Sequence, residues 1–301
     1  MKRSLERTPL YGLSAEKAAD FRRRGIESGE CSAIFGLDPF KSSFTLWAEK
    51  SGKLPCAQES ETARFDRDNR GYVAKRFSQA TGKAVRRVDA ALHNPLYPFA
   101  WAELHYIVLG EDAGLSCHCV SHLSLSSFRR KMYPKAFYYP CLHRMMVTGR
   151  KKWYLAVLVL QKELRIFEFT ADDAEVSCLA QGERQFWKRV TEDCPPLPDS
   201  SRSTKETLDT LYPGKGSRCV DLSPISLQIH DYLSWQEQLK ACQDVLGRRE
   251  AIIKSFLGDA QRGHLGNIQV SWAAEEEDPT GSRIFRVHRA EGGRTPYDRS
   301  T

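Results

Sequence analysis

The chain has 301 residues, 41% hydrophobic and 28% charged, with a formal net charge of +7, which is ordinary for a globular protein with a substantial core. No stretch approaches the ~20 apolar residues of a membrane span, and the polar opening MKRSLERTPL lacks a signal-peptide apolar region, so we expect no membrane partner. Nine cysteines scattered between Cys31 and Cys242 indicate free thiols in a reducing compartment, and we expect a cytoplasmic protein.

The first two thirds of the chain predict a mixed α/β domain. Ser14 as N-cap begins a predicted helix over 14–24, and a short segment 29–36 and a helix 43–51 follow. Residues 61–81 give the clearest helix, because their apolar residues form one stripe and Gly82 provides a stop. The order α-β-β-β-α-β predicts a mixed central sheet flanked by helices. The remaining predicted elements are strands 84–92, 100–109 and 115–121, helix 136–148, strands 153–160 and 164–169, and helix 172–190.

The last third predicts a linker and an appendage. The stretch CPPLPDSS at 194–201 breaks the composition, so we predict a core over 1–193, a linker over 194–222 and an appendage over 223–301. Residues 224–257 read as a helical arm or helical hairpin, with Gly247 as a candidate break, followed by a β-hairpin of strands 267–273 and 283–289. The apolar stripe of the arm either packs within the chain or binds a partner.

Short basic clusters carry much of the positive charge. Such clusters suit contact with phosphates, although they are equally typical of solvated surfaces. They are residues 22–24, 75–76, 86–87, 129–131 and 150–152.

Ordered sequence landmarks resemble the YqaJ and phage lambda exonuclease group of nucleases. They cover most of residues 14–290, and we identify the chain as a member on this basis. The landmarks are RGIESGE at 24–30, AIFGLDPFKS at 33–42, LWAEKSG at 46–52, YVAKRF at 72–77 with TG at 81–82, VTG at 147–149, WY at 153–154, AVL at 156–158, FW at 186–187, LYP at 211–213 and VSW at 270–272.

This resemblance implies a restriction-endonuclease-like PD-(D/E)xK core with a helical arm and a C-terminal β-hairpin. It also implies a Mg²⁺-dependent 5′-to-3′ exonuclease acting on linear duplex DNA ends, a homo-oligomer in the form of a ring, and a single-strand annealing protein as partner. A phage or prophage origin and a place in the host cytosol follow from the same resemblance.

The residues that carry hydrolysis in this family are replaced here. One or two Mg²⁺ ions need several hard oxygen ligands, and a lysine stabilises the developing charge. The family's helix glutamate falls on Gly71, its strand aspartate on His105, and its E-x-K pair on Ser116 and His118. Other matched positions also differ, because glutamines of the family fall on Pro140 and Leu142 and an early aspartate falls on Glu30. We therefore predict a catalytically impaired scaffold.

The sequence offers two candidate metal sites, each with a surface or core role as the alternative. Asp68, one turn before Gly71, and Glu103, on the strand face of His105, could hold a divalent ion together with His105 and His118. The alternative is that both carboxylates lie at the surface. The set Cys117, Cys119, Cys141 and His143 offers zinc-type ligands, but buried strand thiols are the usual state of free cysteine. His122 and His264 read as loop or surface histidines.

Three functions remain open from the sequence. The first is an impaired exonuclease homologue that retains DNA-end binding or assembly, with Arg22, Arg23, Arg24, Lys75 and Arg76 as DNA-binding residues beside the former cleft. The second is an active Mg²⁺-dependent exonuclease with relocated ligands. The third is an interfering or structural subunit that co-assembles with an active paralogue.

Overall fold

The computed structural model describes residues 5–9, 20–56, 60–121, 133–159, 162–214, 219–274 and 283–289. The chain divides into two compact units, Met1–Lys215 and Gly216–Thr301. The elements of the first unit are β1 (Glu6–Pro9), β2 (Ile26–Glu27), α1 (Cys31–Ile34), α2 (Ser43–Lys50), α3 (Glu61–Thr81), β3 (Val85–His93), β4 (Ala100–Val108), β5 (Ala113–Val120), α4 (Lys135–Thr148), β6 (Lys152–Val159), β7 (Glu163–Thr170), α5 (Asp173–Thr191) and α6 (Arg202–Leu211).

The central sheet of the first unit has the strand order β1-β3-β4-β5-β6-β7, with β2 paired to β4. Strands β3, β4 and β5 form antiparallel neighbours, and β6 pairs antiparallel with β7. Strands β5 and β6 run parallel, which requires a crossover, and α4 supplies it. The arrangement is the predicted α-β-β-β-α-β, a mixed central sheet flanked by helices.

Helices cover both faces of this sheet. On one face, Val73, Ala74 and Phe77 of α3 pack with Leu115 and Cys117 of β5. On the other face a larger core collects side chains from α2, α4 and α5. Alternate strand residues point to opposite faces, so neighbours on β5 belong to different cores. The three buried positions of α3, spaced by one and three residues, fix which side of the helix meets the sheet.

Helix α3 begins and ends where the sequence predicts. The Ser60 hydroxyl accepts a hydrogen bond from the Ala63 amide at 3.2 Å, and Gly82 ends the helix with a φ of 71°. The predicted helix over 14–24 lies largely outside the described residues, of which 20–23 are helical. His122 and the basic cluster at 129–131 also lie outside them.

The predicted linker over 194–222 needs a correction in its middle. Residues 202–211 form α6, and Thr204 and Thr207 of this helix are buried in the first unit. Thr204 Oγ1 donates to Ser42 Oγ at 2.7 Å, and Thr207 Oγ1 lies 2.9 Å from the hydroxyl of Thr45 in α2. Hydrogen bonds between hydroxyls allow polar residues to be buried, so apolar periodicity gave no sign of this contact.

The second unit contains a long helix and a small sheet. Its elements are α7 (Ser226–Leu257), β8 (Arg262–Leu265), β9 (Ile268–Ala274) and β10 (Arg283–Arg289), with strand order β10-β9-β8. The predicted hairpin is thus part of a three-stranded sheet, and α7 continues through Gly247 without a break. Arg283 lies over the Trp272 ring at 3.7 Å and donates to the Ala260 carbonyl at 2.8 Å, which joins the sheet to the end of α7. Among the described helices, none is long and apolar enough to cross a membrane.

Candidate functional site

The candidate site lies where two neighbouring strands separate. Strands β4 and β5 pair only through Tyr106–Leu115, Ile107–Gly114 and Val108–Ala113. Beyond these pairs the two strands are no longer paired, and α3 packs against β5. The positions that the family resemblance assigns to catalysis are distributed on α3, β4 and β5.

A cavity of about 480 Å³ lies between α3, β3 and β4. Three arginines and three carboxylates face the cavity, so the formal charges of these six side chains sum to zero. The cavity is lined by Arg67, Asp68, Arg70, Gly71, Arg87, Asp89, Glu103, His105 and Tyr106. Gly71 and His105, two of the predicted positions, therefore share one cavity with Asp68 and Glu103, the proposed relocated ligands.

His105 is the centre of a polar cluster. Its Nε2 lies against Arg70 and 3.1 Å from the Glu103 carboxylate, while its Nδ1 lies 3.4 Å from Asp89. Burial would raise the pKa of Glu103, but the neighbouring His105, Arg70 and Arg144 lower it to about 2. Glu103 is therefore a carboxylate at neutral pH whose charge is already balanced by cationic and hydrogen-bonding neighbours.

Asp89 reaches His105 through an irregularity of β3. The register with β4 shifts between Arg87 and Ala90, and Asp89 has a φ of 44°. A residue other than glycine in the left-handed region costs about 1–3 kcal/mol, which is tolerated where the surroundings fix the conformation. The bulge directs the Asp89 carboxylate into the cavity. Asp89 is not among the site residues predicted from the sequence, because residues 84–92 have the pattern of a regular strand.

His118 is linked to this cluster through α3. Its Nδ1 lies 3.2 Å from Asp66 Oδ2, and the Cys119 amide donates to Asp66 Oδ1 at 2.6 Å. Arg70 Nε lies 3.8 Å from Asp66 as well, so Arg70 connects His118 to His105. Burial would raise the pKa of Asp66, but His118 and the other partners lower it overall. The i, i+4 spacing of Asp66 and Arg70 was the sequence signal that could have revealed the pair.

Ser116 does not line the cavity, because it is buried on the face of the sheet that α4 covers (the α4-side core). Its hydroxyl accepts hydrogen bonds from Trp153 Nε1 at 2.8 Å and from Arg144 Nη1 at 3.5 Å. Of the four predicted positions, the structure brings Gly71 and His105 together, places His118 beyond Asp66 and Arg70, and turns Ser116 toward the core. Pro140 and Leu142 are buried in α4.

Gly71 has space for a side chain. A Cβ at this position meets only the Tyr106 hydroxyl oxygen, at 3.7 Å, and the residue is exposed. Nothing in the local packing therefore requires glycine in the middle of α3.

The residues present do not fit the Mg²⁺ that the family resemblance implies. A hard dication prefers a set of carboxylate oxygens. Here Gly71, His105 and Ser116 supply none, and Glu103 and Asp89 face His105 and the cavity arginines. Asp68, the other proposed relocated ligand, lies 3.4 Å from Arg67.

The four zinc-type ligands that the sequence offers do not lie together in the structure. Cys117 belongs to the α3-side core and Cys141 to the α4-side core, so the sheet separates them. In the part of the chain that the structure describes, the one set of three ligand atoms within 4.8 Å of one another is Cys31, His143 and Glu183. Both imidazole nitrogens of His143 are engaged, by Glu183 at 2.7 Å and by the Trp101 carbonyl at 3.0 Å.

Burial opposes the charging of His143, but Glu183 and these hydrogen bonds raise its pKa overall. A protonated imidazole has no lone pair for a metal, so we interpret this set as a buried ion pair. His264 is exposed on β8.

The predicted DNA-binding residues differ in their surroundings. Arg22, Arg24 and Lys75 are exposed, Arg23 is partly buried 3.7 Å from Asp20, and Arg76 donates to the Tyr72 hydroxyl at 3.1 Å. None of the five lines the described cavity, where the arginines are Arg67, Arg70 and Arg87.

The basic cluster at 150–152 is balanced by acids. Lys152 lies 2.7 Å from Glu168, and Arg150 and Lys151 pair with Asp112 and Asp173.

The sequence landmark around Glu30 has a structural role. Lys50 Nζ lies 2.6 Å from the Glu30 carboxylate and donates to the Gly25 carbonyl at 2.8 Å. Burial raises the pKa of Glu30, which Lys50 partly counteracts. The contacts tie the opening landmark to the LWAEKSG helix, so these residues position the chain beside β4.

The topology defines a mixed α/β protein with a central sheet between two layers of helices. The family described as the YqaJ-like viral recombinase domain matches residues 19–151. The uncharacterized protein YqaJ of Bacillus subtilis (strain 168) is 32% identical over 257 residues, which are 83% of this chain and 81% of that protein. The chain belongs to the YqaJ family.

Two solved structures are similar to parts of the chain. An alkaline exonuclease (LHK-Exo) from Laribacter hongkongensis gives a TM-score of 0.48 at 13% identity and covers 60% of this chain and 94% of its own. A phage-related exonuclease from Haemophilus somnus 129PT gives a TM-score of 0.43 at 8% identity, with coverage of 58% and 98%.

Proposed function

We propose that this chain is a member of the YqaJ family that binds the ends of linear duplex DNA but has lost efficient phosphodiester hydrolysis. The observation that carries the proposal is the His105 cluster. The positions of the helix glutamate and strand aspartate hold Gly71 and His105, and Glu103 is neutralised by His105, Arg70 and Arg144. A cavity with balanced charge has little attraction for a hard dication.

The proposed setting is a phage- or prophage-encoded recombination system in the host cytosol. The match to a viral recombinase domain and the nine free cysteines support it. In this role the chain acts as a homo-oligomer that holds DNA ends and a single-strand annealing protein, or it joins a complex of an active paralogue.

The test is a nuclease assay on linear duplex DNA with Mg²⁺ or Mn²⁺, beside an EDTA control and a gel-shift assay. We expect a gel shift without metal-dependent cleavage. Metal-dependent cleavage that Asp68→Ala or Glu103→Ala abolishes would instead establish the second candidate, an exonuclease with relocated ligands. That candidate is favoured by the presence of both carboxylates in the same cavity as Gly71 and His105.

The proposed DNA contacts are tested by charge removal. Lys75→Gln with Arg76→Gln should weaken DNA binding for all sequences and reduce its salt dependence. The reason is that binding releases fewer counterions from the DNA when the protein makes fewer phosphate contacts. The matched control is Arg150→Gln with Lys151→Gln, which removes the same charge from residues paired with Asp112 and Asp173. Equal losses from both pairs would contradict a specific contact at Lys75 and Arg76.

A further inference from the structure

Strand β4 changes its neighbour along one edge. Near its start it pairs with β2, where the Ile26 amide donates to the Phe99 carbonyl at 2.8 Å. From Tyr106 onward it pairs with β5. The carbonyls of Trp101 and Glu103 lie between these two pairings. They need other partners, because a buried backbone carbonyl without a hydrogen bond is costly.

Two consecutive side chains of α4 are these partners. His143 Nε2 lies 3.0 Å from the Trp101 carbonyl. Arg144 Nε donates to the Glu103 carbonyl, also at 3.0 Å. The two side chains thus do for this part of β4 what a neighbouring strand does elsewhere in the sheet. Since Glu103 and His105 line the described cavity, the contact holds the segment of β4 that forms its wall.

His143 makes its two contacts only with a proton on each ring nitrogen. Its Nδ1 lies 2.7 Å from Glu183 Oε1 of α5, and its Nε2 faces the Trp101 carbonyl. A carboxylate and a carbonyl only accept hydrogen bonds, so both ring nitrogens have to donate, which a neutral imidazole cannot do. The hydrogen-bond geometry therefore assigns an imidazolium to His143.

The groups around His143 come from several elements. Burial opposes the charge on its ring, but Glu183 of α5, the two hydrogen bonds and Glu27 of β2 raise its pKa overall. Burial also raises the pKa of Cys31, so this thiol of α1 adds no negative charge. Arg144, the next residue of α4, is engaged by β4. The one fully buried carboxylate beside the ring is that of Glu183, among the residues that the structure describes.

Loss of one proton from His143 would break one of its two contacts. Either the Trp101 carbonyl or Glu183 would then face a ring nitrogen that no longer donates. Glu183 Oε2 already has no hydrogen-bond partner among the described residues. A neutral ring would leave Glu183 as a buried carboxylate without a compensating charge, which is strongly unfavourable.

We propose that His143 and Glu183 form a pH-sensitive clamp, which holds the cavity-lining segment of β4 near neutral pH and releases it in alkali. The folded-state pKa of His143 is raised, so the contribution of the clamp to stability is fully present below the ordinary imidazole pKa of about 6.5. It is lost as pH rises through the folded-state pKa. The inference does not depend on the proposed function, since it uses only contacts within the first unit.

The first experiment follows the His143 imidazole of the full chain by NMR, with His143→Gln to assign its signal. We expect a titration midpoint above about 6.5. Glu183→Gln should lower this midpoint, because burial then opposes the charge without the carboxylate that balances it. A midpoint at or below the ordinary value in the unmodified chain would overturn the clamp, and this measurement does not require the variant to fold.

The second experiment uses Glu183→Gln as a form of the contact that does not depend on pH. The glutamine amide donates to Nδ1, so a neutral His143 keeps its proton on Nε2 for the Trp101 carbonyl. Urea unfolding between about pH 6 and 9 should show that the unmodified chain loses stability in alkali and this variant does not. The matched control, Glu168→Gln, removes a carboxylate that pairs with Lys152 and should keep the pH dependence of the unmodified chain.

The third experiment measures the release of β4 itself. Amide hydrogen exchange in β4 is compared with exchange in β6 at the same pH, which cancels the chemical effect of pH on exchange. The ratio should rise by up to about tenfold per pH unit above the folded-state pKa of His143, the limit for one proton. A constant ratio in the unmodified chain would overturn the release. An alkaline loss of stability shared equally by Glu183→Gln would assign the titration to another group and overturn the clamp.

Discussion

At the scale of single residues, His105 and His118 belong to one polar network. Asp66, Arg70 and His105 connect α3 to β4 and, through His118, to β5. Each member of this network has a partner of complementary charge or hydrogen-bonding character. The carboxylates of Asp66, Asp89 and Glu103 are thus paired with side chains of the protein.

Restoration of the family residues tests this interpretation. The joint changes Gly71→Glu, His105→Asp, Ser116→Glu and His118→Lys should give detectable metal-dependent exonuclease activity, well below that of an intact relative. They must be made together because carboxylates without a metal repel one another. Pro140 and Leu142 stand where the family has glutamines, and this should limit the rate. The measurement is degradation of linear duplex DNA with and without Mg²⁺.

Arg70 provides the control for the restored variant. Its guanidinium contacts position 105 and would pair with the carboxylate introduced there. Adding Arg70→Gln should therefore raise the activity of the quadruple variant. A folded quadruple variant that neither binds Mg²⁺ nor cuts DNA, with or without this change, would show that more than these four positions has been lost.

Asp66 gives a prediction about pH. Its folded-state pKa is lowered, so its contribution to stability is present above the usual carboxyl pKa and is lost as pH falls through the folded-state pKa. Asp66→Asn should destabilise the chain by about 1–3 kcal/mol near neutral pH, because His118 and Arg70 lose a charged partner. Urea unfolding of both proteins at neutral pH and near pH 3 measures the difference, which should shrink in acid. A constant difference would rule out a charge effect.

At the scale of elements, α3 combines two roles that favour different residues. Its buried stripe packs on β5, while Arg67, Asp68, Arg70 and Gly71 line the cavity. A glycine inside a helix costs about 0.5–1 kcal/mol relative to alanine.

Gly71→Ala should therefore stabilise the chain by about 0.5–1 kcal/mol, because the added methyl meets only the Tyr106 hydroxyl. The thermal unfolding midpoint measures the change. The comparison is Gly82→Ala, which should destabilise because this residue has a φ of 71°. A loss of stability in Gly71→Ala would mean that the site requires the absence of a side chain.

At the scale of the whole molecule, the boundary between the units follows from the packing of α6. Thr204 and Thr207 are buried against α2, and Trp47 of α2 donates to the Arg189 carbonyl near the end of α5. Residues after Asp193 therefore complete the first unit. This places the end of the first compact unit at Lys215, beyond the predicted core of 1–193.

Two truncated chains test this boundary. A chain that ends at Lys215 should fold and unfold cooperatively, because it keeps α6. A chain that ends at Asp193 should be less stable by about 2–5 kcal/mol, because it exposes the surface that α6 covers and leaves Ser42 and Thr45 without their hydroxyl partners. Denaturant unfolding compares the two. Equal stabilities would favour the boundary predicted from composition.

The sequence by itself determined the fold and the family. Helix 61–81, the three following strands and the ordered landmarks are properties of local pattern and of residues at fixed spacing, and both are readable along a chain. The family resemblance assigned Gly71, His105, Ser116 and His118 to one site, and of these Gly71 and His105 line the same cavity.

Only the tertiary structure decided what surrounds these positions. Asp89 enters the cavity because of a bulge in β3, Asp66 meets His118 across 52 residues of chain, and α6 is held through hydroxyl contacts with α2. Each of these depends on distant polar groups that satisfy one another's hydrogen bonds. Such contacts leave no periodic signal in the sequence, because their partners are fixed by how the strands and helices pack.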